Sequence, residues 1–217
     1  MKQKDAFLES EGDVWFTRNV RTLSNRKFPD SYSLLGEILG LPSSQRRGLK
    51  ILEIGCGDGG RLNWLKENLG FECYGVDPSI QAVRVAESYG IHAQIGTADK
   101  LPFNNSMFDI VIFGFCLYLC DREDLFRIAA EADRVLKSPG WLLIKDFYSP
   151  TPLKREYHHR AGLFSYKMDY STLFTWNPSY MCLSHRVTHH EKPNNYTDDS
   201  NEWVATTVLR KNLERHG

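Results

Sequence analysis

From residue 49 onward, short apolar runs alternate with stretches in which apolar side chains recur every three or four positions. Residues 49–54, 71–76, 91–95, 108–115 and 141–147 read as strands. Between them, Leu62, Leu65 and Leu69 share one helical face that stops at Gly70. Ser79 is placed to cap a second helix, with Ile80, Val83 and Ala86 inward and Gly90 at its end. Asp121 is placed to cap a third, with Leu125, Ile128, Ala132 and Val135 toward the sheet and Ser138-Pro139-Gly140 as its stop. Strands alternating with helices predict a doubly wound α/β sheet with helices on both faces. Residues 181–189 and 202–210 add two strands around the polar turn 192–201, which predicts an antiparallel C-terminal hairpin. The expected fold is therefore a seven-stranded, mostly parallel sheet. Residues 1–48 read as helical and polar, with a break at 28–30, a short helix over 31–41 and a linker over 41–48. Residues 148–180 show no clear periodicity. The expected organisation is one domain over 1–217: a helical cap (1–48), a ligand-binding core (49–147), and an acceptor-side loop with the final strands (148–217).

The first strand runs straight into Glu53-Ile54-Gly55-Cys56-Gly57-Asp58-Gly59. Glycines there permit a tight turn and a close approach of ligand to backbone, and the following helix aims its first N–H groups at whatever lies over the turn. Gly55, Gly57 and Gly60 also satisfy the G-x-G-x-x-G dinucleotide pattern, with Asp77 where a ribose-binding acid belongs. The acid alone does not separate NAD from S-adenosylmethionine. Glu53 does bear on the choice, because a carboxylate at the strand end needs a partner when buried, and the amine of S-adenosylmethionine would supply one. Ala98-Asp99 falls in the third strand–helix loop, within reach of an adenine. Phe115 and Cys116 at the end of the fourth strand would floor the methionine moiety.

In combination, E-x-G-x-G-x-G at 53–59, Asp77, Ala98-Asp99 and the Phe108-Asp109 strand start resemble the class I S-adenosylmethionine-dependent methyltransferases over roughly residues 45–147. The resemblance implies S-adenosylmethionine as cofactor, held by Glu53, Gly55, Cys56, Gly57, Gly59, Asp77, Pro78, Ala98, Asp99 and Phe115. It also implies a seventh strand entering antiparallel. The fourth strand ends Phe113-Gly114-Phe115-Cys116, with no resemblance to the Asn/Asp-Pro-Pro-Tyr motif of enzymes that methylate DNA bases. An NAD-dependent oxidoreductase and a non-catalytic S-adenosylmethionine-binding module are the rival readings.

Composition narrows the partners. Lys plus Arg and Asp plus Glu number 27 each, so no net field draws in nucleic acid. No apolar run is long enough to span a bilayer. Five cysteines without framework spacing suit a reduced, cytoplasmic protein. Cys116, Cys120, His185, His189 and His190 are of zinc-ligand type but lack metal-site spacing, and buried thiols with surface imidazoles are the expected reading. The expected partner is a small-molecule acceptor, with neither nucleic acid nor membrane; the oligomeric state is left open.

Two further segments carry chemistry. The run Glu9-Ser10-Glu11-Gly12-Asp13-Val14-Trp15-Phe16-Thr17-Arg18-Asn19 is expected to cover the cofactor, with Arg18 or Asn19 near the methionine carboxylate. Its pattern resembles openings of bacterial methyltransferases of sugar and surface-polysaccharide pathways, which makes a sugar or sugar-nucleotide hydroxyl one candidate acceptor. The segment 148–160 leaves the fifth strand on the ligand side of the sheet. It gathers Tyr148, Lys154, Arg155, Tyr157, His158, His159 and Arg160, residues suited to a polar or anionic small molecule. His158 or His159 is the expected general base if the acceptor is a hydroxyl.

Overall fold

The computed structural model describes residues 2–25, 47–192 and 195–212. The predicted helix over 31–41, the break at 28–30 and all but the end of the linker 41–48 lie outside the described residues.

The main sheet contains β1 (Lys50–Ile54), β2 (Glu72–Asp77), β3 (His92–Ile95), β4 (Phe108–Gly114), β5 (Leu136–Phe147), β8 (Tyr180–His189) and β9 (Trp203–Lys211). β6 (Leu153–Glu156) and β7 (Phe164–Lys167) form a separate antiparallel pair. The main order is β3-β2-β1-β4-β5-β9-β8. β1 to β5 run parallel; β9 pairs antiparallel with both β5 and β8. This is the predicted architecture, including the antiparallel C-terminal pair.

Period-2 alternation explains both faces. In β4, Val111 and Phe113 enter one core with Leu52, Ile54 and Leu142, while Ile110 and Ile112 enter the other with Ile51 and Leu143. All four β4 side chains are fully buried, as expected of a central parallel strand covered on both sides; each contributes about 1.5–3 kcal/mol of burial. Helix α5 (Leu125–Val135) closes the first face through Ile128, Ala132 and Val135. Helices α3 (Gly60–Leu69) and α4 (Ile80–Ser88) close the second through Leu62, Leu65, Val83 and Ala86.

Several local expectations are met. Gly70 ends α3 in the left-handed conformation at φ 71°. The Ser79 hydroxyl accepts the Ala82 N–H and caps α4. Others need correction. Ile80 is 40 % exposed, and Ala82 takes the inward position instead. Asp121 makes no side-chain cap to α5; its carboxylate accepts the Gln3 N–H at 2.8 Å. A 3-10 turn (Arg122–Asp124) intervenes, and α5 ends at Val135. Ser138-Pro139-Gly140 therefore lies inside β5 rather than ending a helix.

The N-terminal segment is helical from Gln3 to Ser24: α1 (Gln3–Ala6), a π turn (Phe7–Glu11) and α2 (Gly12–Ser24). Its Glu-Gly-Asp run is explained by docking. Asp13 accepts from the Ser79 hydroxyl (2.6 Å) and the Gln81 N–H (3.0 Å) at the start of α4. A Cβ on Gly12 would sit 3.1 Å from the Ser79 nitrogen, so only glycine lets the helix come this close. Phe16 and Leu23 pack on Ala82.

Candidate active site

A cavity opens over the C-terminal ends of β1, β2 and β4, where an open α/β sheet places its ligands. Its wall includes Glu53, Gly55, Cys56, Gly57, Asp77, Pro78, Ala98, Asp99 and Phe115, all expected from the sequence, together with Cys116. The N-terminal helices roof it with Lys4, Phe7, Gly12, Trp15 and Leu23.

The glycine turn divides its work. A Cβ on Gly55 (φ 75°) would lie 2.5 Å from the Cys116 Cβ, so this glycine lets β1 and β4 end side by side. Gly57 (φ 54°) differs: a Cβ there would meet no protein atom within 4 Å, although the residue borders the cavity. The space beside it is open to the cavity. Gly59 does not border the cavity. Its missing Cβ makes room for Ala86, 2.8 Å away, so its task is seating α3 against α4.

Asp77 holds this turn. One carboxylate oxygen accepts the Gly57 N–H and the other the Ser79 N–H, both at 2.9 Å. Burial pushes its carboxyl up to about 6, against the pull of those two N–H donors. At the far side, Asp99 is buried and accepts from Lys4 and from the Thr97 hydroxyl (2.8 Å). Burial alone would raise it; the bonds from Lys4 and Thr97 outweigh that and hold it below its ordinary range. Lys4 also lies 3.1 Å from Asp124.

Glu53 meets a partner from its own chain. Arg61, from α3, forms a buried ion pair with it and also borders the cavity. Gly114 is the consequence: a Cβ there would sit 2.3 Å from the Arg61 guanidinium and 2.7 Å from Glu53.

The floor beyond β4 is a short loop whose conformation is enforced. Phe115 has φ 59°, a left-handed value that costs a non-glycine residue energy and that clusters at functional sites. Asp146, 2 % exposed at the end of β5, accepts the N–H groups of Leu117 and Phe147, each at 2.8 Å. Burial raises its carboxyl to about 7, although those N–H groups pull it down. Arg122 binds the other side of the loop, donating to the carbonyls of Leu117 (2.7 Å) and Cys120 (2.8 Å). Lys4, Arg61 and Asp146 were not found by sequence reasoning. Only Asp146 left a signal, as a lone acid inside an apolar strand.

Two sets of expected residues lie elsewhere. Arg18 does not border the cavity; it donates to the Tyr157 phenol at 2.6 Å and pairs with Glu11 at 3.2 Å. Asn19 bonds its own helix at the Trp15 carbonyl. His158 and His159 are exposed and border no part of the cavity. The buried residue of that loop is Tyr157, packed on Phe7. Anchoring its ring leaves the two imidazoles on the outer side, their centroids 3.9 Å apart with the planes tilted by 45°. Among the described residues, no group of three or more His, Cys, Asp or Glu is placed to hold a metal ion. No helix there is long and apolar enough to cross a membrane.

Comparison with known proteins agrees with this geometry. A methyltransferase-domain family matches residues 52–144, the span from β1 to β5 that builds the cavity. The match identifies residues 52–144 as similar to a methyltransferase domain. The chain is 34 % identical over 126 residues to an uncharacterized methyltransferase, YcgJ, of Bacillus subtilis, covering 53 % of this chain and 48 % of the relative. It is 33 % identical over 131 residues to the ubiquinone/menaquinone biosynthesis C-methyltransferase of Laribacter hongkongensis, covering 56 % and 51 %. The chain thus spans about half the length of the curated relatives it matches. Among solved structures, the Burkholderia thailandensis 1,6-didemethyltoxoflavin-N1-methyltransferase, with bound 1,6-didemethyltoxoflavin and S-adenosylhomocysteine, superposes with TM-score 0.72 at 16 % identity, covering 96 % of this chain and 89 % of that one. The YcgJ structure gives 0.60 at 18 % identity, covering 84 % and 98 %. At these identities the superpositions speak for the fold.

Proposed function

We propose that the protein transfers the methyl group of S-adenosylmethionine to a small-molecule acceptor, with residues 49–147 holding the cofactor, the N-terminal helices covering it and residues 148–212 flanking the acceptor. The observation that carries this reading is the vacant Cβ direction of Gly57 beside Asp77: a backbone cradle next to a carboxylate able to accept both hydroxyls of a ribose. The donor set fits the cofactor. Asp99 offers an acceptor to an adenine amine once Lys4 shifts, and the Arg61 guanidinium beside Glu53 offers a bidentate site to a carboxylate. When bound, the cofactor supplies a methyl group already activated by the sulfonium. The chain's own task is alignment and exclusion of water. Trp15 and Phe7 roof the cavity, while Asp146 and Arg122 fix the loop that carries Phe115 into its wall.

The sugar hydroxyl expected from the N-terminal run loses its main support, because that run is explained by docking onto α4 and Tyr157. Nothing in the cavity favours a nicotinamide cofactor. Incubating the protein with S-adenosylmethionine and a panel of sugars, phenols and small heterocycles should yield S-adenosylhomocysteine with at least one acceptor. Binding without turnover on any of them would favour the non-catalytic alternative.

A further inference from the structure

Phe115, in the cavity wall, packs on its outer side against a group of rings that do not line the cavity and that the cofactor reading does not use. Phe147, at the end of β5, packs edge-on to Phe115 (5.4 Å) and to Tyr118 (5.0 Å). His190, just after β8, lies 5.0 Å from Phe147 and 5.9 Å from Phe115. Two cations stand over this group: Lys167 of β7, 5.0 Å from the Phe147 centroid, and Lys145, 5.8 Å from the Phe115 centroid. The three aromatic rings are only half-buried and His190 is exposed, so the group is not a sealed core. Strand order explains the gathering. β4, β5 and β8 all end at the cavity side of the sheet, and the backbone N–H of His190 extends the β8–β9 ladder by donating to the Glu202 carbonyl at 2.8 Å.

Resting on the cofactor reading above, we infer that Phe115, Tyr118, Phe147 and His190, with Lys145 and Lys167, form the acceptor subsite, that it takes a planar aromatic acceptor carrying an acidic hydroxyl, and that His190 removes the hydroxyl proton. Rings offer a flat acceptor apolar contact and edge-to-face packing, and the lysines attract the developing anionic oxygen. In the step, the hydroxyl O–H bond breaks and its proton goes to the imidazole, giving an imidazolium. The oxygen lone pair forms the new bond to the methyl carbon as the carbon–sulfur bond breaks, and that bond's electron pair returns to sulfur, leaving neutral S-adenosylhomocysteine. Partial desolvation by the neighbouring rings lowers the His190 pKa below the ordinary histidine value, even though the residue keeps solvent access; Lys167 and His189 lower it further, against Glu202 and Glu191, so the ring is neutral and able to accept a proton at neutral pH.

The test uses the full chain saturated with S-adenosylhomocysteine and carrying ¹³C-labelled histidine, probed with catechol, 4-hydroxybenzoate and, as contrast, N-acetylglucosamine. At least one phenol should shift the His190 resonance while the sugar leaves it in place, and Phe147→Leu should remove that shift with cofactor binding retained. With the phenol that binds, His190→Ala should slow methylation about 10²–10⁴-fold at unchanged S-adenosylmethionine affinity. A His190 resonance unmoved by both phenols, or moved equally by the sugar, overturns the subsite. Full activity in His190→Ala overturns the base. If S-adenosylhomocysteine itself fails to bind, the cofactor reading falls first, and the same titration shows it.

Discussion

The affinity for S-adenosylmethionine is expected to fall about tenfold for each pH unit below 6. Burial places the Asp77 carboxyl at about 6 before ligand arrives. A ribose diol donates two protons, so it needs the ionised carboxylate as acceptor. Binding therefore favours the charged form. Affinity is complete above pH 6 and is lost as pH falls through it, by about 1.4 kcal/mol per unit. Asp99, held below its ordinary range by Lys4 and Thr97, stays charged through this window. Asp77→Asn should flatten the profile and weaken binding at neutral pH by roughly 1–3 kcal/mol. Asparagine retains one acceptor for the Gly57 or Ser79 N–H, which spares the turn part of the damage that alanine would cause. Calorimetric titrations between pH 5 and 7 decide the matter, since the cofactor's own amine stays protonated there. A flat wild-type profile, or the same slope in Asp77→Asn, would remove Asp77 from the ribose.

Gly57→Val should cost at least about 100-fold in cofactor affinity and leave the fold in place. The side chain would enter space that no protein atom occupies, so its steric cost falls on the ligand. Its left-handed φ adds strain of about 1–2 kcal/mol, a modest lowering of thermal stability. Gly59→Ala is the matched control. There the new Cβ meets Ala86 at 2.8 Å, backbone and helix packing must shift, and the loss should appear first in the melting temperature. Thermal melts and binding isotherms on both variants would separate the roles. Equal loss of stability in the two would mean that Gly57 is a structural glycine.

The parts of this site that were legible in the sequence are those written locally. A glycine turn at the end of an apolar run places Gly55, Gly57 and Asp77 wherever β1 and β2 lie side by side, and Ala98-Asp99 follows from one more strand. The parts that were missed depend on chain segments far apart. Lys4 reaches Asp99 across 95 positions. Arg61 is only eight residues from Glu53, but its pairing follows from how α3 lies over β1. His158 and His159 lie away from the cavity because composition alone cannot tell which way their loop faces. The anchor that sets its sense, the Tyr157 hydroxyl between Arg18 and Glu11, comes from the other end of the chain. Glu11 and Asp13 serve to attach the N-terminal helices, and Gly12 both allows that docking and borders the cavity.

The cofactor assignment meets its most direct test in side-by-side calorimetry of the full chain with S-adenosylmethionine and with NAD. The expected result is a saturable one-to-one isotherm with S-adenosylmethionine, sharply weakened in Gly57→Val, and no heat of binding with NAD. Saturable NAD binding, or wild-type protein that takes up no S-adenosylmethionine, would contradict it.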